Sequence, residues 1–386
     1  MKRIAIVTST RAEYGLLLPL IRKIIADKEL DLDLIVTGGH LSVKQGYTIS
    51  EIIDDGFPIT HIIPILDEDN SPYGISVTMA NAIKGFAKCF QEDKPDMTVI
   101  LGDRTELLGI ASAALNERIP IAHIHGGEIT EGAVDDCIRH AITKMSYLHF
   151  TATEVYRKRV IQLGEDPNRV FNVGTLGAEN ILTQELMRES DFRSNFGIPS
   201  EMKFVVVTFH PVTMDNEDDS VEYQTNELCK AMCTYNDYFY IVTGANADAE
   251  GDKVNEIFEA FSKKHKNVFF VHSLGMNRYL SSVKYAAVVL GNSSSGILEA
   301  PVLGTPTVNI GDRQKGRIMA ESVISCGYDH KDIENAMYKA FKLEPIPSGI
   351  YGDGHTSEKI IYEIKKSFVI GVNLKKGFTD WRDDYI

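Results

Sequence analysis

A single tryptophan stands among 386 residues, and no apolar run approaches the roughly 18 residues that a bilayer-crossing helix requires. No transmembrane helix is therefore encoded. The N-terminus, MKRIAIVTSTRAEYG, has two basic residues and only a short apolar stretch before Thr8, which reads as a buried strand rather than a secretory segment. Cationic residues are the scarcer sign: 40 Lys and Arg against 54 Asp and Glu give a formal charge of −14. That balance excludes a nucleic-acid partner held by phosphate neutralisation, yet leaves room for a small anion gripped by a local arginine cluster. The five cysteines, Cys89, Cys137, Cys229, Cys233 and Cys326, are odd in number and scattered. They fit reduced thiols in a cytoplasmic protein, and Cys229 and Cys233, one helical turn apart, read as core packing rather than metal ligands. Neither G-x-G-x-x-G nor G-x-x-x-x-G-K-[ST] occurs, so dinucleotide and P-loop chemistry find no support.

What the sequence does hold is short apolar runs alternating with helical patterns. IAIVTS (4–9), LDLIVTG (32–38), MTVILGD (97–103), IPIAHIHGG (119–127), YLHFTAT (147–153) and residues 170–173 read as strands. Residues 183–203 are polar and charged, with one weak helix, and mark the passage between domains. The alternation restarts at FVVVTFHP (204–211) and continues through YFYIVTG (238–244), NVFFVHS (267–273), AAVVLGN (286–292) and TPTVNIG (305–311). Continuous apolar strands between helices signify parallel sheets covered on both faces. The expected class is α/β, with two doubly wound Rossmann-like domains facing a central cleft. Residues 1–182 form the first and 183–366 the second, with about 367–386 packing back on the first. In such sheets ligands bind beyond the carboxyl ends of the strands, so the residues just after each strand are the ones to inspect.

Arg11 follows the first strand where a loop enters a helix, a place that favours an anion, although a plain surface arginine has the same appearance. His40 follows the second strand after a glycine pair, as a ligand contact or a cap. In LGDRTE, Asp103 and Arg104 stand at a strand end, where Asp103 or Thr105 could equally cap the next helix. The densest stretch is AHIHGGEITEGAVDDCIRH (122–140), with His123, His125, Glu128, Glu131, Asp135, Asp136, Arg139 and His140. Strand alternation places His123 and His125 on one face, Gly126 and Gly127 let the loop approach a ligand, and Asp135 and Arg139 are spaced for an i,i+4 pair. A zinc site has the right ligand types here but no third close ligand. In the second half, His210 and Asn246 end strands. GNSSSGILEAP (291–301) offers Ser293, Ser294 and Ser295 to phosphate oxygens and Glu299 to a ribose, and NIGDRQKGR (309–317) adds Arg313, Lys315 and Arg317 as a diphosphate clamp.

Taken in order, TRAEYG, TGGHLS, LGDRTE, AHIHGGEITEGAVDDCIRHAITK, TFHPVT, GNSSSGILEAP and NIGDRQKGR resemble the hydrolysing UDP-N-acetylglucosamine 2-epimerases of sialic acid pathways over nearly the whole chain. The resemblance implies the glycosyltransferase-B architecture and the conversion of UDP-N-acetylglucosamine and water to N-acetylmannosamine and UDP through 2-acetamidoglucal. It puts nucleotide contacts on Arg11, Arg104, Ser293, Ser294, Glu299 and Arg313, a phosphate-proximal histidine on His210, acid/base carboxylates on Asp103, Glu128 and Asp135, and an arginine beside them on Arg139. His125 stands where the animal members carry Glu. His40, the 64–75 segment and the 126–136 loop are expected to shape the sugar pocket, with His125, Asn246 and Ser295 among the substrate contacts. No metal or other cofactor is implied, because arginines neutralise the diphosphate, and the expected assembly is a homodimer or homotetramer. The alternatives are the same reaction on UDP-N,N′-diacetylbacillosamine for legionaminic acid, a retaining UDP-sugar glycosyltransferase, and a sensor that binds a nucleotide sugar without turnover.

Overall fold

The computed structural model describes residues 1–69, 71–130, 134–211, 220–245 and 250–380. The chain folds as two compact units, Met1–Asn180 with Gly352–Ile386, and Ile181–Tyr351. The first holds a parallel sheet of β1 (Lys2–Thr8), β2 (Leu30–Thr37), β3 (Ile59–Ile63), β4 (Met97–Leu101), β5 (Ile121–Ile124), β6 (Leu148–Thr151) and β7 (Val170–Asn172), in the order 3-2-1-4-5-6-7. The second holds β8 (Phe204–Thr208), β9 (Phe239–Thr243), β10 (Val268–Val271), β11 (Val288–Gly291), β12 (Thr307–Ile310) and β13 (Val323–Cys326), in the order 10-9-8-11-12-13. Both are the doubly wound α/β arrangement read from the sequence.

The inner strands are apolar on both faces because helices cover both. Ile4, Ile6 and Val99 pack toward the helix Arg11–Ala26, while Ala5, Val7 and Ile100 pack toward the helices Pro72–Glu92 and Thr105–Asn116. The strand order reverses between β1 and β4 in the first unit and between β8 and β11 in the second. At such a reversal the flanking helices leave on opposite faces and open a crevice at the strand ends, where ligands bind in sheets of this type.

Two expectations are corrected here. The chain returns to the first unit at Gly352, not near residue 367, so the helix Thr356–Ile370 belongs there. Ile360, Ile361 and Ile364 enter the same core as Leu17, Leu20 and Ile24, and buried Glu179 accepts from the Ser357 backbone N–H at 2.6 Å and its hydroxyl at 2.5 Å. Of the two cysteines expected in the core, Cys229 is buried but Cys233 is exposed.

Candidate active site

In the first unit, the ends of β4 and β5 are organised by one buried side chain. Arg139, from the helix Val134–Met145, is 6% exposed. Its guanidinium donates to the Asp103 carboxylate, to Asp136 Oδ1 at 3.2 Å, to the Glu128 carbonyl at 2.9 Å and to Thr130 Oγ1 at 3.1 Å. Asp103 therefore does not cap the following helix. Arg104 occupies the N-cap position without a side-chain cap, and its Nε donates to Glu106 Oε1 at 2.8 Å. The pair expected between Asp135 and Arg139 is replaced by Asp136, one residue on, and Asp135 stays exposed in the first helical turn. Asp136 also accepts from the Thr130 N–H at 2.8 Å, which ties the loop to the helix.

His123 and His125 do not share a face. Strand β5 stops at Ile124, and His125 takes a left-handed φ of 67°, which turns its ring toward Glu128, 3.6 Å away. His123 is fully buried: Nε2 meets the Gly102 carbonyl at 2.8 Å and Nδ1 the Thr143 hydroxyl at 3.2 Å, leaving no lone pair for zinc. Burial pulls its pKa down to about 3, so the ring is neutral. The glycine pair serves the protein's own packing. A Cβ on Gly127 (φ 82°) would lie 2.5 Å from the Tyr156 carbonyl, and one on Gly126 would lie 3.0 Å from Thr143 Oγ1.

His40, expected at a ligand, is likewise a buried strut. Its ring nitrogens meet Thr8 Oγ1 at 3.0 Å and Thr48 Oγ1 at 2.8 Å, and burial lowers its pKa to about 4. It holds the loop after β2 against β1. Arg11 is exposed and donates to Glu51 at 3.0 Å. Beside these loops a cavity of about 750 Å³ is lined by Gln45, Ile65, Leu66, Asp67, Arg104 and Glu106 among others. The 64–75 segment thus does border a cavity, while His40 lies behind it.

The second unit presents its groups differently. Asn292, at the end of β11, is fully buried and clamps the His210 backbone, accepting from its N–H at 2.7 Å and donating to its carbonyl at 2.8 Å. That fixes the end of β8. Gly291 (φ 137°) makes the approach possible, since a Cβ there would lie 2.0 Å from the Thr208 carbonyl. Ser294–Gly296 form a 3-10 turn with Ser293 as its N-cap, and the α-helix proper runs only from Glu299 to Leu303. The serines therefore present turn N–H and hydroxyl groups ahead of a short helix, not the end of a long one. Among the described residues, the buried atoms Ser295 Oγ, Glu299 Oε2, Tyr279 Oη, Thr307 Oγ1, Asn309 Oδ1 and Gln314 Oε1 find no hydrogen-bond partner. Buried polar atoms are normally paired, so such a group marks a place where a polar ligand belongs. Burial also pushes the Glu299 carboxyl and the Tyr279 phenol upward.

Arg313 Nη1 and Gln314 Nε2 both donate to the Asn292 carbonyl, at 3.2 and 2.9 Å, which brings the loop after β12 to the serine turn. Lys315 and Arg317 point to solvent, Lys315 beside Asp312 at 3.6 Å. Asn246 and Glu131 lie outside the described residues. Sequence reasoning named Asp136 without its pairing to Arg139, and missed Asn292, Gln314 and Tyr279 as site residues. Asn292 carried a usable signal, being the first polar residue after a buried strand; Tyr279 and Gln314 carried none.

The family model described as UDP-N-acetylglucosamine 2-epimerase matches residues 22–365. A hydrolysing GDP/UDP-N,N′-diacetylbacillosamine 2-epimerase of Campylobacter jejuni is 42% identical over 340 residues, 88% of this chain and 87% of its own. A polysialic acid biosynthesis protein of Escherichia coli is 42% identical over 325 residues, 84% of this chain and 82% of its own. In fold, the chain is similar to the crystal structure of UDP-GlcNAc 2-epimerase from Neisseria meningitidis bound to UDP-GlcNAc. The TM-score is 0.76 at 16% identity, over 95% of this chain and 100% of that one.

Proposed function

The chain belongs to the UDP-N-acetylglucosamine 2-epimerase family, and on that premise we propose that it converts UDP-N-acetylglucosamine and water to N-acetylmannosamine and UDP. The observation that carries this reading is Arg139, a single buried guanidinium that fastens Asp103 and the Glu128 loop at the ends of β4 and β5. A carboxylate held as firmly as that of Asp103, beside a loop fixed at the Glu128 carbonyl, suits proton transfer at a sugar carbon. A retaining transferase takes no proton from C2, and a sensor takes none either.

The C2 hydrogen of the hexose is not acidic, so its removal is coupled to departure of UDP from C1. A carboxylate drawn from Asp103, Glu128 and Asp135 takes the proton, the C2–H electron pair becomes the C1–C2 double bond, and the C1–O bond breaks toward the phosphate. Positioned general bases contribute about 100- to 10,000-fold. Charge gathers on the leaving diphosphate, for which Ser293, Ser294, Ser295 and Arg313 are the second unit's receiving groups. Arg11 and Arg104 are the first unit's cations for substrate. Glu299 takes the ribose hydroxyls, and His210 stands by the phosphates. Water then adds to the glucal, hydroxyl to C1 and proton to C2 from the opposite face, with a second carboxylate as acid. N-acetylmannosamine as product places the enzyme ahead of sialic acid synthesis, and the cysteines, all free, support a cytoplasmic location.

One relative favours a second reading. The Campylobacter jejuni enzyme is named for N,N′-diacetylbacillosamine, a sugar with an acetamide at C4 and no C6 hydroxyl. The apolar side chains Leu41, Val43, Ile65, Leu66 and Ile75 beside the first-unit cavity suit that substitution. Both UDP-sugars offered in D₂O and followed by NMR decide between them. The expected result is free UDP and a manno-configured sugar with deuterium at C2 from UDP-N-acetylglucosamine. Turnover of the diacetylated sugar alone selects the second reading. A product with its C2 hydrogen retained overturns both.

A further inference from the structure

The loop after β1 holds a proton-counting problem. Ser9 Oγ lies 2.7 Å from Glu13 Oε2 and 2.7 Å from Glu106 Oε1. A serine hydroxyl has one hydrogen to donate and otherwise only accepts. Two ionised carboxylates would leave one of these short contacts without any hydrogen. One of the two carboxyls must therefore carry a proton and donate it to the serine.

The surroundings say which. Glu106 Oε1 accepts from the Arg104 guanidinium at 2.8 Å, a pairing that holds a carboxylate ionised. Glu13 forms no ion pair among the described residues, although the Arg104 charge also acts on it. Its Oε2 accepts from the Ser9 and Thr10 N–H groups at 2.8 and 3.1 Å, and its Oε1 is buried with no partner among the described residues. A naked buried oxygen is costly on a carboxylate and far less so on a neutral acid. Burial likewise raises the Glu13 carboxyl above its ordinary range. The other groups that face this cluster do not reverse the assignment. His40, whose backbone N–H donates to the Ser9 carbonyl at 3.2 Å, has a neutral ring; Arg11 is turned to Glu51; Asp135 acts on Arg104; and the Ser9 hydrogen bonds and the Arg104 charge, which favour an ionised Glu13, are outweighed by its burial.

We infer that Glu13 is a neutral carboxylic acid, linked through Ser9 to an ionised Glu106, and that this resident proton lets Glu106 spend its charge on holding Arg104. Glu13 and Glu106 are positioning residues. That Arg104 touches substrate rests on the proposed function; the proton does not.

Glu13→Gln keeps the capping box with Thr10, because Gln serves at that helical position as well as Glu. The infrared difference spectrum between the full-length protein and E13Q at neutral pH should show the carbonyl stretch of a protonated carboxylic acid lost in the variant. Loss of a carboxylate band instead overturns the inference, as does an acid band that survives E13Q and disappears in Glu106→Gln. Denaturant unfolding supplies an arm that needs no substrate. Above the ordinary carboxyl value of 4.5 the unfolded chain releases a proton that the fold keeps, so the wild type loses ground to E13Q by about tenfold in the unfolding constant per pH unit. A difference that does not move with pH overturns the inference. Should the UDP-sugar assay be silent while the infrared result holds, the proposed function fails and the proton assignment stands. With activity present, E106Q should raise KM more than it lowers kcat, and an unchanged KM removes Arg104 from the inference.

Discussion

Both units carry polar groups at the strand ends where the order reverses, yet the two sets are finished to different degrees. In the first, Arg139 has four partners and His123 and His40 have both ring nitrogens engaged, although Glu13 Oε1, His125 Nε2 and His140 Nδ1 stay buried without a partner among the described residues. In the second, Ser295, Glu299, Tyr279, Asn309 and Gln314 each keep a buried atom without a partner among the described residues. An unpaired buried group costs about 1–3 kcal/mol, which a ligand that pairs it gives back. The contrast teaches that the first unit spends most of its strand-end polar groups on the protein's own contacts, and that the second leaves more of them open; on the proposed function, the first holds acids and bases and the second receives the nucleotide.

The sharpest way to break that contrast is Asp103→Asn. Turnover should fall about 100- to 10,000-fold, the usual worth of a positioned acid or base, while calorimetry finds UDP bound as tightly as before. A parallel fall in UDP affinity would mean that the division of labour is wrong. Next in size is the acid stability of the first unit. Opposing burial, His149 at 3.0 Å, Lys144 at 2.6 Å and Lys376 at 2.6 Å hold the Glu165 carboxyl down to about 2. Its folded value lies below the ordinary 4.5, so its contribution is full above that range and lost as pH falls toward 2. Denaturant titrations should show the wild type on the order of 2–3 kcal/mol more stable than Glu165→Gln at neutral pH, with the gap closing on acidification.

On the second unit, Glu299→Ala should weaken UDP about 10- to 100-fold by calorimetry, the cost of losing a desolvated acceptor. Thermal stability should change little, because its Oε2 has no protein partner among the described residues to lose. The smallest effect belongs to Lys315→Ala. Its side chain is 80% exposed beside Asp312, and surface pairs of this kind contribute about 0–1 kcal/mol, so UDP affinity should stay within about twofold. A larger loss would restore Lys315 to the diphosphate clamp.

How much of this was legible beforehand follows from where the information lies. The inner strands were readable because burial on both faces demands an unbroken apolar run, as in Ile4–Val7 and Phe204–Val207. The edge strands β3 and β13 were missed for the converse reason: ITHII and VISC are partly exposed and show no such run. At the site, motif residues were found but their partners were misjudged. Spacing favoured Asp135 for Arg139, whereas the loop brings Asp136 and Asp103 instead. The Ser9 to Glu106 contact spans 97 positions and leaves no local trace. The left-handed His125 broke an alternation that the sequence alone would carry through.

The late return of the chain has a consequence for how the molecule is made. Ile181–Tyr351 is one unbroken stretch, while the first unit draws on both sides of it. Ile360 and Ile364 complete a core begun by Ile4 and Leu17, and they leave the ribosome only after the whole intervening stretch has emerged. Domains generally mature in the order of synthesis; here the later one is free to finish first, and the earlier one waits for its last helix to close.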